Sequence, residues 1–212
     1  VAVSVKAAVV DITGAGRAKF TVSINVANNA FASSLKKNLE RSGAFIVKQD
    51  GSIKVSGASG SIKAEGGGKV VSSSDTFTDD KSARMAARRL SDTMCHAYAN
   101  QKGFACDKII FLNRGKAING GVAIPGEICV AYPDGYDIRQ LTSDGATSLF
   151  PRWKTDGESI YYIGYMRGAP QIWEMNTVTG KSIQICRQGR HKSFTFTGSH
   201  FRDASLMKDN TT

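Results

Sequence analysis

Proline, histidine and tryptophan are scarce in this sequence, at four, three and two residues among 212. No two histidines stand at a metal-ligand spacing, so a histidine-rich metal centre is not expected. Cysteine is present only as Cys95, Cys106, Cys129 and Cys186, without a Cys-x-x-Cys, and the four admit three pairings among which spacing does not choose. Buried free thiols are the alternative to a bridge, with Cys95 and Cys106 flanking one helix-to-strand turn. No apolar run approaches the 18 residues a transmembrane helix requires, so no membrane span is expected.

Glycine is abundant at 22 residues and hydrophobic content is 41%, a combination that suits a real core with many tight turns. The formal charge of +10 suggests an anionic partner. The basic residues are scattered, however, and the densest group is Arg84, Arg88 and Arg89 on one helix. Aromatic residues do not interleave with them as on a nucleic-acid platform, so no nucleic acid is expected. A basic surface binding nucleic acid or anionic lipid stands as the alternative function.

Catalytic signals are weak. Cys95 and His96 are neighbours, and adjacent helical residues do not face one another. Asp79 and Asp80 read as a helix cap, and Asp134 as a turn residue. Gly66-Gly67-Gly68-Lys69-Val70 lacks the Ser or Thr and the spacing of a phosphate-binding loop and reads as a hairpin turn. Gly14-Ala15-Gly16 lacks the third glycine and the helix of a dinucleotide turn. No nucleophile, base and orienting group assemble, so binding is expected rather than turnover, with no enzyme activity and no cofactor.

The first part of the chain alternates strand and helix signals. Strands are expected near 5–12, 20–26, 45–48, 53–57, 61–64 and 69–76. Asn28-Asn29 opens a helix over 30–42 with Phe31, Leu35 and Leu39 on one face, and Gly43 suits its left-handed exit. A second helix over 81–99, capped by Asp79 or Asp80, carries Ala86, Leu90, Met94 and Tyr98 at helical spacing, with Gly103 ending it. Strands then follow near 108–112, 127–132 and 137–141.

Residues 143–185 repeat short apolar runs between turns at Asp156-Gly157, Arg167-Gly168 and Thr179-Gly180, behind an earlier turn at Asp134-Gly135. This is the pattern of a four-stranded meander, the unit of a propeller blade. Such a blade hides its faces against neighbours. With few neighbours available, Phe150, Trp153, Tyr161, Tyr162, Ile172 and Trp173 are expected to lie exposed and to drive self-association.

The chain resembles the TolB family of the Tol–Pal envelope system. The resemblance rests on Asp134-Gly-Tyr-Asp-Ile-Arg-Gln-Leu-Thr142, Trp153 with Asp156-Gly157, Ile160-Tyr-Tyr-Ile163, Pro170-Gln-Ile-Trp173 and Thr179-Gly-Lys181. Upstream it rests on Val10-Asp-Ile-Thr-Gly14, Ser42-Gly-Ala-Phe45, Ala86 to Asp92, and Ile109-Ile-Phe111. The sequence departs from the family at Lys154-Thr155 in the blade turn, at Asn176, where an acid is usual, and at Asn25-Val26.

The resemblance implies an α/β domain over 1–104, a mixed sheet with two helices. Behind it, over 105–185, comes an incomplete β-propeller portion of one to two antiparallel blades. The polar tail over 186–212 is atypical and does not resemble the family's next blade. It implies a non-enzymatic periplasmic scaffold, exported with its signal peptide already removed. The implied partners are TolA-like proteins, through a strand containing Val9, Val10, Asp11, Ile12 and Thr13, and Pal-like proteins, through a complete propeller. Asp134, Gly135, Asp156, Gly157 and Gly180 are the blade's turn residues.

Overall fold

A computed structural model describes residues 19–114, 126–166 and 168–185. The chain divides into two compact units, Val1–Cys106 and Asp107–Thr212. The expected strand near 5–12 and the polar tail lie outside the described residues.

In the first unit the elements run β1 (Phe20–Val26), α1 (Asn29–Arg41), β2 (Phe45–Val47), β3 (Ile53–Ala58), β4 (Ser61–Gly66), β5 (Lys69–Ser73) and α2 (Asp80–Ala99). The five strands form one sheet in the order β2-β1-β3-β4-β5. β1 is parallel to both β2 and β3, while β3, β4 and β5 are successive antiparallel hairpins. The sheet is therefore mixed, with two helices, as the sequence implies.

α1 starts where Asn28 supplies an acceptor: its Oδ1 receives the Phe31 N–H at 2.8 Å. Phe31, Leu35 and Leu39 then fall on one stripe and are fully buried. Gly43 follows at φ +73°, a left-handed position that glycine adopts without strain. α2 opens on a reciprocal capping box, with the Ser82 N–H donating to Asp79 Oδ1 at 2.8 Å and the Asp79 N–H donating to Ser82 Oγ at 3.2 Å. Ala83, Ala86 and Ala87 are buried, so this helix approaches its neighbours closely. The Tyr98 hydroxyl lies 2.9 Å from the Ala64 carbonyl and 3.1 Å from that of Lys69, which pins the end of α2 to the β4–β5 hairpin.

Gly103 is not the residue that stops α2. The helix ends at Ala99, and Asn100 takes the left-handed position at φ +50°. Asparagine tolerates this region because its short side chain bonds locally. Gly103 serves a packing need instead: a Cβ there would lie 2.2 Å from Asp92 Oδ1.

The connection from β2 to β3 is short and unusual. Both strands are parallel to β1 and flank it, so the chain at 48–52 must cross over β1. It does so at Gly51, where a Cβ would sit 2.2 Å from the Val22 carbonyl carbon. Only glycine lets two backbones approach this closely. Ser52 fastens the crossing, its N–H donating to Thr21 Oγ1 at 3.0 Å.

In the second unit every described element is a strand: β6 (Ile109–Arg114), β7 (Gly126–Ala131), β8 (Arg139–Gln140), β9 (Ser148–Trp153), β10 (Ser159–Gly164), β11 (Gln171–Asn176) and β12 (Ser182–Gln184). They make a three-stranded sheet, β6-β7-β8, and a four-stranded antiparallel meander, β12-β11-β10-β9. Among the described residues there is no closed ring. Ile128, Ile160, Tyr162 and Met175 form the core, with Ile110, Leu112, Leu141, Trp153 and Trp173 packed against it.

The expectation that the blade's aromatics lie exposed needs correction. Tyr162 is 2% exposed. Strand alternation turns Ile160 and Tyr162 of β10, with Trp173 and Met175 opposite them, into the core, and leaves Tyr161, Ile163 and Ile172 on the outer face. Phe150 alone of the named aromatics is strongly exposed, at 61%.

Candidate functional site

The segment expected to meet a TolA-like partner, Val9, Val10, Asp11, Ile12 and Thr13, lies outside the described residues. It precedes Lys19, the residue immediately before β1. The blade residues are all described. Asp134 is fully buried and its Oδ1 accepts the Tyr136 N–H at 3.1 Å, with Gly135 at φ +81° beside it. Asp156 Oδ1 accepts the Ser159 N–H at 2.8 Å and the Glu158 N–H at 2.9 Å, closing the β9–β10 turn. These N–H donors, that of Ser159 foremost, hold the Asp156 carboxyl below the usual range. Gly157 follows at φ +70° and Gly180 stands at φ +72°.

At Asn176 the amide oxygen performs the turn-closing task that a carboxylate would. Its Oδ1 accepts the N–H groups of Thr179 at 2.9 Å and Val178 at 3.0 Å. Gly180 then donates its N–H to the Asn176 carbonyl at 2.9 Å. The departure from the family's acidic residue therefore keeps the geometry. Arg139 of β8 donates to the Thr177 carbonyl and joins the three-stranded sheet to this same turn.

On the outer face of the meander, Lys154 Nζ lies 2.8 Å from Glu174 Oε1 and 5.9 Å from the centre of the Tyr161 ring. The hydrogen bond to Glu174 raises the lysine above its ordinary range. This is a cross-strand ion pair beside an aromatic face, suited to contact rather than to proton transfer.

Sequence reasoning missed one feature of this face. Pairing of β9 with β10 shifts register between Tyr161 and Ile163, so that Phe150 and Pro151 together stand opposite Tyr162. The bulge puts Phe150 at φ +52° and throws its ring outward. Pro151 has no N–H to give to a ladder, and that is the signal the sequence carried.

The described thiols are held in their protonated form. Burial raises Cys95 and Cys129, and Cys106, though exposed on the surface, is pushed up to about 12 by desolvation and the adjacent Asp92 carboxylate. All three are free. Cys95 is buried and His96 exposed, on different faces of α2. Among the described residues no three His, Cys, Asp or Glu side chains gather as a metal site would require. Among them too, no helix is long and apolar enough to cross a membrane.

No family model matches the chain. The Tol-Pal system protein TolB of Anaeromyxobacter sp. (strain K) is 26% identical over 95 residues, covering 45% of this chain and 20% of that protein. The protein TolB homolog of Chlamydia caviae is 28% identical over 109 residues, covering 50% of this chain and 25% of the relative. The chain thus spans a quarter or less of the curated relatives it matches. Among solved structures, TolB from Acinetobacter baumannii superposes with a TM-score of 0.64 at 17% identity, over 79% of this chain and 49% of that one. The likeness in fold and the named relatives agree with the resemblance read from the sequence: the chain is TolB-like.

Proposed function

We propose that this chain is a non-enzymatic periplasmic component of a Tol–Pal cell-envelope system, acting as a scaffold between TolA-like and Pal-like proteins. The observation that carries the reading is the fold likeness to TolB, which covers 79% of the chain and so takes in strands of both units. The curated relatives named for the Tol-Pal system support it from sequence. The α/β unit is the one next to the TolA-facing segment. Val9 to Thr13 adds to the partner's sheet as a strand, an interaction made of backbone bonds plus alternate side-chain pockets, which tolerates sequence drift. Contact with a Pal-like protein belongs to the complete propeller. Such a scaffold supports outer-membrane integrity and cell division.

Disrupting the gene in its source cell tests the reading. The expected result is leakage of a periplasmic marker and sensitivity to detergent, both restored by the wild-type gene. An intact envelope in the disrupted strain contradicts it.

A further inference from the structure

Among the described residues the β1 strand has an open edge. Its pairing with β2 covers Phe20↔Phe45, Thr21↔Ile46 and Val22↔Val47. One more bond, from the Lys48 N–H to the Val22 carbonyl at 2.8 Å, ends the ladder. The chain then leaves to cross β1 at Gly51, while β1 runs on to Val26 with β3 on its other side. Backbone groups of a strand alternate in direction, so those of Ile24 point the same way as those of Val22. Among the described residues no strand meets them there.

A cleft of about 990 Å³ opens at this place, between the first turns of α1, the bend after β2 and the outer half of β1 and β3. Lys36, Lys48 and Lys54 line it, no aspartate or glutamate does, and Asn25, Asn29 and Ser33 add neutral polar groups. All three lysines are exposed, and none forms an ion pair among the described residues.

We propose that this cleft binds an acidic peptide segment in extended form, added as a short strand to the β1 edge at Ile24. The unpaired edge supplies main-chain hydrogen bonds, and the lysines select carboxylates. The open stretch runs only from Ile24 to Val26, so the contact is short and the binding weak. Its electrostatic part is exposed and therefore screened by salt. Val9 to Thr13 are not among its lining residues, so its failure leaves the scaffold function untouched.

The test uses the full chain and a fluorescein-labelled acetyl-Glu-Val-Asp-Val-Glu peptide, read by anisotropy at low salt. Saturable binding with a Kd on the order of 100 μM is expected, a range fitting a short, exposed contact. Lys36→Glu, Lys48→Glu and Lys54→Glu together weaken it at least tenfold, with an unchanged far-UV circular dichroism spectrum. A peptide N-methylated at its central residues binds at least tenfold more weakly. Amide exchange at Ile24 slows at least tenfold when the unmodified peptide is added. The proposal is overturned by an absence of binding, by binding that survives the triple substitution, or by equal binding of the methylated peptide. An Ile24 amide already slow in the free chain also overturns it, because the edge is then filled by the chain itself or by a second copy.

Discussion

Asp92 and Ala105 are joined by a 2.8 Å hydrogen bond in which the Ala105 N–H donates to Asp92 Oδ1, and the other carboxylate oxygen takes the Cys106 N–H at 3.0 Å. One side chain of α2 thereby fixes the backbone on which the first unit ends. Asp92→Ala leaves Ala105, which is 2% exposed, with an unpaired N–H. The expected loss of stability is about 1–3 kcal/mol, read as a lower urea midpoint. Gly103→Ala, whose Cβ meets the same carboxylate, loses a comparable amount. Unchanged midpoints in both variants contradict this role.

The crossing at Gly51 predicts a sharp contrast between glycines. Gly51→Ala forces a side chain into the Val22 backbone, which has no flexible end to yield, so the first unit loses more than about 3 kcal/mol or fails to accumulate folded. Gly67→Ala, at φ +58° with open space around it, costs about 1 kcal/mol. Chemical denaturation of the two variants side by side gives the comparison, and equal losses contradict the crossing.

The Cys106 thiol provides a pH prediction. Although the residue is exposed, its folded-state value is pushed up to about 12 by desolvation and by Asp92. In the unfolded chain the thiol ionises in the ordinary range, near 8.5. Between these values the unfolded state holds fewer protons, so stability falls as pH rises. Alkylation of Cys106 by iodoacetamide at pH 8.5 is therefore slow in the native chain and faster in Asp92→Asn. A native rate equal to that of the unfolded chain contradicts the assignment.

The outer face of the meander predicts self-association. Phe150, 61% exposed, and Ile183, 54% exposed, lie on the two edge strands of the meander, β9 and β12. Light scattering of the intact chain at high concentration is expected to show dimers or larger species. Phe150→Gly with Ile183→Ser shifts the chain towards monomer. Phe150→Gly alone also removes a left-handed non-glycine position and raises stability by about 1 kcal/mol. A monodisperse parent chain contradicts the prediction.

Much of the fold was legible because local signals agreed with one another. Asn28 with Phe31, Leu35 and Leu39, and Asp79 with Ser82, mark helix starts by chemistry that acts within one turn. The Gly66-Gly67-Gly68 hairpin likewise needs only its own residues. Features set by distant partners were not legible. Nothing near Gly51 in the sequence reveals that the Val22 backbone lies against it. Gly103 reads as a helix stop, and only the position of Asp92 shows otherwise. Pro151 marks an irregularity in β9, but the strand register decides that Phe150 points outward. Of the candidate site, the blade turns were legible from Asp-Gly pairs, whereas Val9 to Thr13 was singled out by resemblance alone.

Titration calorimetry with the C-terminal domain of the cognate TolA-like protein tests the central claim most directly. The intact chain is expected to bind it, and a variant lacking residues 1–8 to lose that binding while its circular dichroism spectrum stays the same. Equal affinity of the two proteins, or no binding by the intact chain, contradicts the account.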